Sequence, residues 1–270
     1  MIKTDLHMHS AFSADSEALP RDNIEAALEK GLDTICFTDH IDYDFPDPEI
    51  LFDFNIEDYF HELTALREEY EGRIRILIGV EMGMQPHLGE RISKTLHDWP
   101  FDFCIGSQHV VFNTDPYYQT VWEEYPCGMV YQKYLEETLE NVSVLDCFDV
   151  LGHLDYVTRY GVPMPEGKND EVILENMDLI DEILKVLIRK DKGLEINSAA
   201  YRKDQAWPNP NPLVIRRYLE LGGEIITVGA DAHRSMDVAA DFDRVKEVLE
   251  ACNVRALYRY IRRKPERIEF

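Results

Sequence analysis

Six of the nine histidines in this chain follow short apolar segments that have the composition of β-strands. Three carboxylates occupy comparable positions: Glu81 ends the third segment, Asp231 follows the seventh, and Asp15 lies in the loop after the first. The complete candidate set is His7, His9, Asp15, His40, Glu81, His109, His153, Asp231 and His233. Imidazole and carboxylate donors together suit Zn, Mn or Fe, whereas so many polar groups buried without a cation would be costly. The sequence therefore predicts a metal centre.

The spacing of the first two histidines supports chelation, because residues i and i+2 of a strand point to the same side. Taken alone, His7 or His40 is equally well explained as a hydrogen-bonded core histidine, and Asp231 is better explained as a turn residue. The interpretation depends on all nine candidates falling on one face of the fold. The remaining histidines have no partner motif and are predicted to lie at the surface; they are His61, His87 and His97.

The elements that must position these residues alternate along the chain. Short apolar runs predict strands at Ile2–Leu6, Thr34–Thr38, Ile74–Val80, Phe101–Ile105, Val150–Gly152, Gly193–Ile196 and Ile225–Val228. Longer stretches predict helices near 20–30, 57–70, 89–98, 129–146, 170–189, 211–221 and 238–251. Pro20 and Pro212 suit first helical turns, and Asn211 suits an N-cap. Glycine is expected directly after a helix, and the candidates are Gly31, Gly193 and Gly222.

Alternating strands and helices predict an α/β protein with a parallel sheet, closed into a barrel of seven units within one domain over 1–270. An eighth unit would require a strand at 253–258. The longest irregular stretches, each after a strand, are 41–56, 110–128, 155–169 and 198–210. Because all strand carboxyl ends of such a barrel share one face, candidates from both ends of the chain are expected to converge there.

Charge and composition restrict the partners. The net charge of −24 argues against a nucleic acid or an anionic membrane. A small phosphorylated substrate is compatible with it, because bound metal ions reverse the local field. The sequence has no apolar run of about 18 residues and no apolar segment after its polar start. The five cysteines are dispersed and form no CxxC pair, as expected in a reducing compartment. We therefore expect a cytoplasmic protein with neither nucleic-acid nor membrane partners.

Six short motifs occur in order along the chain: DLHMHS, FTDH, GVE, GSQH, GHLD and GADAH. From Asp5 to His233 they resemble the polymerase-and-histidinol-phosphatase (PHP) superfamily. The resemblance implies a distorted, TIM-like (β/α)7 barrel in which all nine candidates hold two to three divalent metal ions. It also implies that Glu81 bridges two metals, and that Asp15, His40 and His233 hold a more exposed third.

Two further segments resemble the histidinol-phosphatase branch. GHLDYVTRYG places Arg159 six residues after His153, and EINSAAYRK places Arg202 after the sixth strand. Arginine forks match phosphate oxygens, so we expect these arginines and Asn197 to bind the substrate. A solvated surface charge explains either arginine alone, and a loop cap explains Asn197. The branch implies hydrolysis of L-histidinol phosphate to L-histidinol and phosphate. The expected catalytic residues are Arg159, Asp231 and His233.

The loops offer groups for the rest of that substrate. Acids in 41–56 would bind its amine, and aromatic side chains of 110–128 would face its imidazole, although any one of these residues taken alone is better explained as an ordinary lid or packing residue. Those aromatic residues are Phe112, Tyr117, Tyr118 and Trp122.

Three other functions fit parts of the pattern. The first alternative is a PHP-type phosphatase that acts on a nucleotide or another small phosphoester. A DNA-end-processing exonuclease would need a basic track that this sequence lacks. A non-catalytic, metal-holding regulatory module would be expected to have lost ligands. The residues accept Zn, Mn and Fe alike, and they leave the general acid and the oligomeric state open.

Overall fold

A ring of parallel strands forms the centre of the computed structural model, which describes residues 1–160 and 168–270. The strands are β1 (Thr4–Met8), β2 (Thr34–Phe37), β3 (His40–Ile41), β4 (Arg75–Gly83), β5 (Phe103–Ser107), β6 (Val150–Leu151), β7 (Gly193–Asn197) and β8 (Ile226–Gly229). Their order is β1-β2-β4-β5-β6-β7-β8, and the short β3 pairs with β4 beyond the end of β2. A parallel bridge between Met8 and Ala232 nearly closes the ring. The predicted (β/α)7 barrel is confirmed.

Helices surround the ring. Those of the described residues are α1 (Pro20–Glu29), α2 (Ile56–Glu69), α3 (Gly89–Asp98), α4 (Gln119–Glu124), α5 (Cys127–Val144), α6 (Lys168–Glu175), α7 (Met177–Arg189), α8 (Pro212–Glu220) and α9 (Phe242–Ala251). Most begin within two residues of the predicted positions; α9 begins four residues later than predicted, and α4 forms in the segment predicted to be irregular. Pro20 and Pro212 occupy first turns, and Asn211 caps α8 by accepting a hydrogen bond from Leu213 N at 2.9 Å. Within the described chain, no helix has the length and apolar character needed to cross a bilayer.

Two predictions about helix ends were wrong. Gly31 and Gly222 have the expected positive φ, but Gly193 is the first residue of β7. Asp191 takes the left-handed position after α7 instead, with φ 53°; aspartate tolerates this conformation better than most residues. The predicted 170–189 helix is divided between α6 and α7 at Asn176, whose side chain bonds a carbonyl of the preceding turn.

The segment at 253–258 does not add an eighth barrel strand. Instead β9 (Leu257–Ile261) and β10 (Lys264–Ile268) form an antiparallel hairpin. Tyr260 of this hairpin stacks on Phe103, with ring centroids 5.1 Å apart, and its hydroxyl donates to Asp149 O at 3.3 Å. The hairpin therefore covers the amino-terminal end of the barrel, away from the strand carboxyl ends.

The barrel interior changes from apolar to polar along the strands. Leu77 of β4 lies in a buried apolar cluster with Cys36, Phe103 and Tyr260. Glu81, four residues further along β4, faces the same interior because alternate residues of a strand share a side. Since β4 continues to Gly83 and β1 to Met8, Glu81 and His7 lie inside strands rather than at the predicted strand ends. The polar layer at the carboxyl ends positions the site.

Candidate active site

Five imidazoles converge on the carboxylate of Glu81, which is fully buried. The shortest nitrogen–oxygen distances are 3.1 Å from His7, 3.4 Å from His9, 3.2 Å from His40, 3.1 Å from His109 and 2.9 Å from His153. These histidines come from β1, β3 and the segments after β1, β5 and β6. Residues far apart in the sequence therefore meet at the carboxyl ends of the strands, as predicted.

His9 links this inner cluster to the outer part of the site. Its ring is stacked between those of His40 and His233, at centroid distances of 4.2 Å and 4.1 Å. Its Nδ1 pairs with Ser13 Oγ at 3.1 Å. Burial and the charges of His233 and His40 lower the pKa of His9 to about 3. His9 is therefore held as the neutral imidazole that metal binding requires.

Asp231 and Asp15 complete the set of nine. Asp231 Oδ1 lies 3.2 Å from His9 Nε2 and 3.6 Å from His7 Nε2. Asp15 lies at the rim, with its side chain 40% exposed and Oδ2 3.0 Å from His233 Nε2. Eight of the nine residues belong to groups of three donor atoms within 4.8 Å of one another, whereas Asp15 touches such a group from outside. The structure thus brings all nine into one region.

Charge within the cluster is balanced by protons on imidazoles. Burial raises the pKa of Glu81, but the charges of His7 and His40 outweigh it and hold the pKa well below its usual value. Burial likewise opposes ionisation of Asp231, yet His7 and Arg159 keep its pKa well below the usual range. Both carboxylates are therefore ionised and available as anionic donors.

The same interactions shift the pKa values of two histidines, His7 and His233, upward. Burial lowers the pKa of His7, but Glu195 and Glu81 outweigh burial and raise it well above the usual value. For His233, the hydrogen bond and charge of Asp15 overcome burial and raise the pKa to about 9. These protons occupy the electrostatic role that divalent cations would take, because a metal binds the neutral imidazole and displaces its proton.

The donor geometry fits a divalent metal. His7 Nε2 and His9 Nε2 are 3.1 Å apart, and both side chains are fully buried. Two ring nitrogens that face each other need a proton or a cation between them, since two lone pairs repel. Buried imidazole and carboxylate donors at such spacing suit Zn, Mn or Fe.

Arg159 is anchored beside the cluster rather than free in solvent. Its side chain is 5% exposed, and Nη1 donates to Asp231 Oδ2 at 2.8 Å. Nη2 donates to Asn197 Oδ1 at 2.8 Å, and Nε donates to Asn209 Oδ1 at 2.6 Å. A guanidinium has five N–H donors, so two remain after these three bonds. Arg159 also lines the cavities described below.

Arg202 and Asn197 hold the surroundings of Asp231. Arg202 Nη2 donates to Ala230 O at 2.5 Å and to Asp231 O at 3.0 Å. It therefore binds the backbone at Asp231, which has a left-handed conformation with φ 54°. Within the described residues, the buried Nη1 of Arg202 has no hydrogen-bond partner. Asn197 Oδ1 accepts hydrogen bonds from Ala199 N at 2.9 Å and from the Arg159 guanidinium. The same oxygen therefore caps a turn and orients the guanidinium.

Two adjoining cavities lead from the cluster to the surface. The deeper one has a volume of about 100 Å³ and is lined by Glu81, His109 and His153. The outer one, of about 490 Å³, is lined by Arg202 and shares Arg159 with the deeper one. Its aromatic lining comes from three loops: Phe45 and Phe52, Tyr117 and Tyr118, and Tyr156 and Tyr160. The outer volume is of the size that binds small organic ligands.

Two of the four predicted aromatic contacts lie elsewhere. Tyr117 and Tyr118 line the outer cavity, but Phe112 stacks on Tyr125 at a centroid distance of 4.0 Å. Trp122 donates its indole N–H to a backbone carbonyl at 2.7 Å. Both are held by local packing within the 110–128 segment, where α4 forms.

Among the described residues, no carboxylate that lines the outer cavity comes from the predicted segment 41–56. Three of the five acids of 41–56 have other partners: Asp42 bonds His109, Asp44 pairs with Arg91, and Asp47 accepts from the Tyr118 hydroxyl. Asp115 lines both cavities. Among the described residues, it is the one outer-cavity carboxylate without a basic or imidazole partner, and burial raises its pKa.

Sequence reasoning missed Asp42, Glu195 and Asp115. Asp42 accepts from His109 Nδ1 at 2.6 Å, and its position two residues after His40 was a usable signal of a shared side. Glu195 accepts from His7 Nδ1 at 2.5 Å. A charged residue in the middle of an apolar strand was the signal for it. The surface positions of His61, His87 and His97 are confirmed.

A parallel (β/α)7 barrel with a histidine and carboxylate cluster at its strand carboxyl ends defines a class of metal-dependent phosphoesterases. The PHP domain family model matches residues 5–199, and the chain belongs to this family. A histidinol-phosphatase of Lactococcus lactis subsp. lactis is 38% identical over 239 residues, which cover 86% of this chain and 85% of the relative. A probable histidinol-phosphatase of Clostridium acetobutylicum is 32% identical, covering 94% of this chain and 95% of the relative.

The fold also matches a solved structure throughout. The crystal structure of a histidinol phosphate phosphatase from Lactococcus lactis subsp. lactis, complexed with zinc, L-histidinol and phosphate, aligns with a TM-score of 0.88 and 31% identity. The alignment covers 98% of each chain. The predicted resemblance to the histidinol-phosphatase branch is confirmed.

Proposed function

We propose that this protein catalyses the metal-dependent hydrolysis of L-histidinol phosphate to L-histidinol and phosphate. The observation that carries the proposal is the convergence of nine imidazole and carboxylate side chains beside a cavity of about 100 Å³. The likeness to the Lactococcus enzyme, whose structure contains zinc, L-histidinol and phosphate, supports the choice of substrate.

The metal centre would contain two to three divalent ions of Zn, Mn or Fe. The proposed ligands are His7, His9, Asp15, His40, Glu81, His109, His153, Asp231 and His233. When bound, such ions act as Lewis acids and neutralise phosphate oxygens. The chain contributes the fixed geometry of the donors, because eight of the nine belong to groups whose donor atoms lie within 4.8 Å of one another, and Asp15 is held at the rim by its contact with His233.

Around the phosphate, the proposed contacts come from Arg159, Arg202 and Asn197. The two spare N–H groups of Arg159 are suited to phosphate oxygens in the deep cavity, where low solvent exposure strengthens a charged hydrogen bond. Arg202 supports the Asp231 backbone and adds positive charge to the outer cavity. Asn197 orients Arg159. We retain Asp231 and His233 as the proposed proton-handling groups.

The rest of the substrate would lie in the outer cavity. Asp115 is placed to accept the primary ammonium group, since a half-buried carboxylate without a basic partner gains most from a cationic ligand. Tyr156 and Tyr160 offer ring faces for the imidazole, and their rings already pack together at a centroid distance of 5.1 Å. Binding energy from these remote groups would orient the phosphate for attack.

Other features of the proposal extend beyond catalysis. We propose that residues 1–270 form one functional domain, that the protein is cytoplasmic, and that it binds neither nucleic acid nor membranes. The net charge of −24 supports the last two exclusions.

A substrate comparison tests the proposed function. Phosphate release is measured with L-histidinol phosphate, a nucleoside monophosphate and an aryl phosphate, using protein of equal metal content. We expect kcat/KM to be higher for L-histidinol phosphate by orders of magnitude, because the other two lack the combined amine and imidazole. Equal values would leave a phosphatase but remove this specificity, and a preference for the nucleotide would assign another branch of the family.

A further inference from the structure

Glu195 is a buried carboxylate that lies directly behind the metal centre. It is 1% exposed and occupies the middle of β7, between Leu194 and Ile196. Its Oε1 accepts from His7 Nδ1 at 2.5 Å, and its Oε2 accepts from His153 N at 2.9 Å. One carboxylate is therefore bonded to two of the proposed ligand residues.

The neighbouring strand leaves space for this arrangement. Gly229 of β8 lies beside β7, and a Cβ atom there would be 2.8 Å from Glu195 Oε1 and 2.2 Å from His7 Cβ. No side chain larger than hydrogen fits this close approach without displacing one of the two groups. Asn197 Nδ2 further fixes the carboxylate by donating to Oε2 at 3.1 Å.

The position of Glu195 separates it from the ligands themselves. Its Oε1 contacts Nδ1 of His7, whereas the opposite ring nitrogen, Nε2, faces Glu81 at 3.1 Å. In the described part of the chain, Glu195 is in none of the groups of converging donors. His7 belongs to two of those groups, one with His153 and Asp231 and one with His9 and Glu81.

We propose that Glu195 is a positioning residue that sets the metal affinity of this site by fixing the orientation and tautomer of His7. This inference rests on the proposed metal centre. A carboxylate on Nδ1 keeps the proton on that nitrogen and leaves the lone pair of Nε2 directed at the metal. The bond to His153 N extends the same control to the start of the segment that carries a second ligand.

Glu195→Gln is the direct test, because the amide has the same shape but can donate to Nδ1. The tautomer with its proton on Nε2, which cannot bind a metal, would then compete. We expect metal-free protein titrated with Zn²⁺ or Mn²⁺ to bind about 10- to 100-fold more weakly than wild type. Turnover should return at saturating metal, since Glu195 is not among the described residues that line either cavity.

Asp149→Asn is the matched control at the opposite end of the barrel. Asp149 is also a buried carboxylate, and it bonds Cys104 N at 2.8 Å and Arg263 Nε at 2.5 Å. We expect this variant to lose thermal stability but to bind metal as wild type does. Should Glu195→Gln fail to fold, Glu195→Asp serves in its place, and it should also bind metal more weakly because its shorter side chain withdraws from Nδ1.

The outcomes separate this inference from the proposed function. Wild-type metal affinity in both Glu195 variants, with only a loss of thermal stability, would overturn the positioning role and leave the metal centre intact. Equal weakening in Asp149→Asn would also overturn it, because the effect would then be general destabilisation. If wild-type protein bound no metal in the same titration, the proposed metal centre itself would fail.

Discussion

Replacing Arg159 with alanine would remove a side chain that serves both the proposed phosphate site and Asp231. Three N–H groups of the guanidinium donate to Asp231, Asn197 and Asn209, which leaves two for phosphate oxygens. Arg159→Ala should therefore act on catalysis and on the stability of the metal-free protein through different contacts.

The magnitudes follow from those contacts. A hydrogen bond to a charged group contributes about 1.5–3 kcal/mol, so two of them provide about 3–6 kcal/mol at most. Losing one preorganised donor to a reacting oxyanion typically costs about 10²- to 10³-fold in kcat. We expect kcat/KM for L-histidinol phosphate to fall by about 10³-fold, which is about 4 kcal/mol. Breaking the buried pair with Asp231 should also cost the metal-free protein about 3–5 kcal/mol of stability.

The assay measures kcat/KM, metal content and Tm on the same preparations, with and without metal. Arg217→Ala is the control, because Arg217 is likewise paired with a carboxylate, that of Asp181, through two bonds of 2.6 Å, but it lies on α8 and lines neither of the two cavities. The metal should reduce the Tm loss of Arg159→Ala, since bound cations neutralise Asp231. Wild-type kinetics at normal metal content would refute the phosphate-binding role.

Three further predictions concern the cluster and the outer cavity. Glu81→Gln should release metal and abolish turnover, and elemental analysis showing full metal occupancy in an active variant would exclude its central role. Asp115→Asn should raise KM for L-histidinol phosphate by about 10- to 100-fold, from about 1.5–3 kcal/mol for a charged hydrogen bond, while steady-state kinetics with an aryl phosphate stay unchanged. Because the pKa of His233 is about 9 and that of His7 is well above its usual value, metal must displace their protons. Titrations near pH 7 in unbuffered solution should therefore release protons, and metal affinity should fall as pH decreases; affinity independent of pH would contradict this.

The sequence predicted the location of the cluster correctly where metal-binding residue types occur at the ends of predicted strands. His7, His40 and His153 stand at or near the ends of apolar runs, and parallel strands present those ends on one face whatever the details of packing. For that reason the barrel, its carboxyl-end site and the convergence of the candidates followed from motif order and alternation alone. Boundaries were off by a few residues, as at β4, because strand ends depend on neighbouring strands.

Residues whose role depends on a tertiary contact could not be predicted from the sequence. Glu195 and His7 are 188 residues apart, so nothing local indicates their hydrogen bond. Asp115 has no basic partner among the described residues, and only the full set of neighbours reveals this. Arg202 was expected to face phosphate, yet one of its nitrogens bonds backbone carbonyls at Ala230 and Asp231. Such assignments depend on tertiary contacts that no spacing rule encodes.

The most direct test of the central claim is phosphate release from L-histidinol phosphate before and after metal is restored to chelator-treated protein. We expect negligible release from the metal-free protein. Activity should return on adding Zn²⁺ or Mn²⁺ and reach its plateau at two to three ions per chain. Undiminished release without metal, or no release in protein carrying its full complement of ions, would show that this protein is not a metal-dependent histidinol phosphatase.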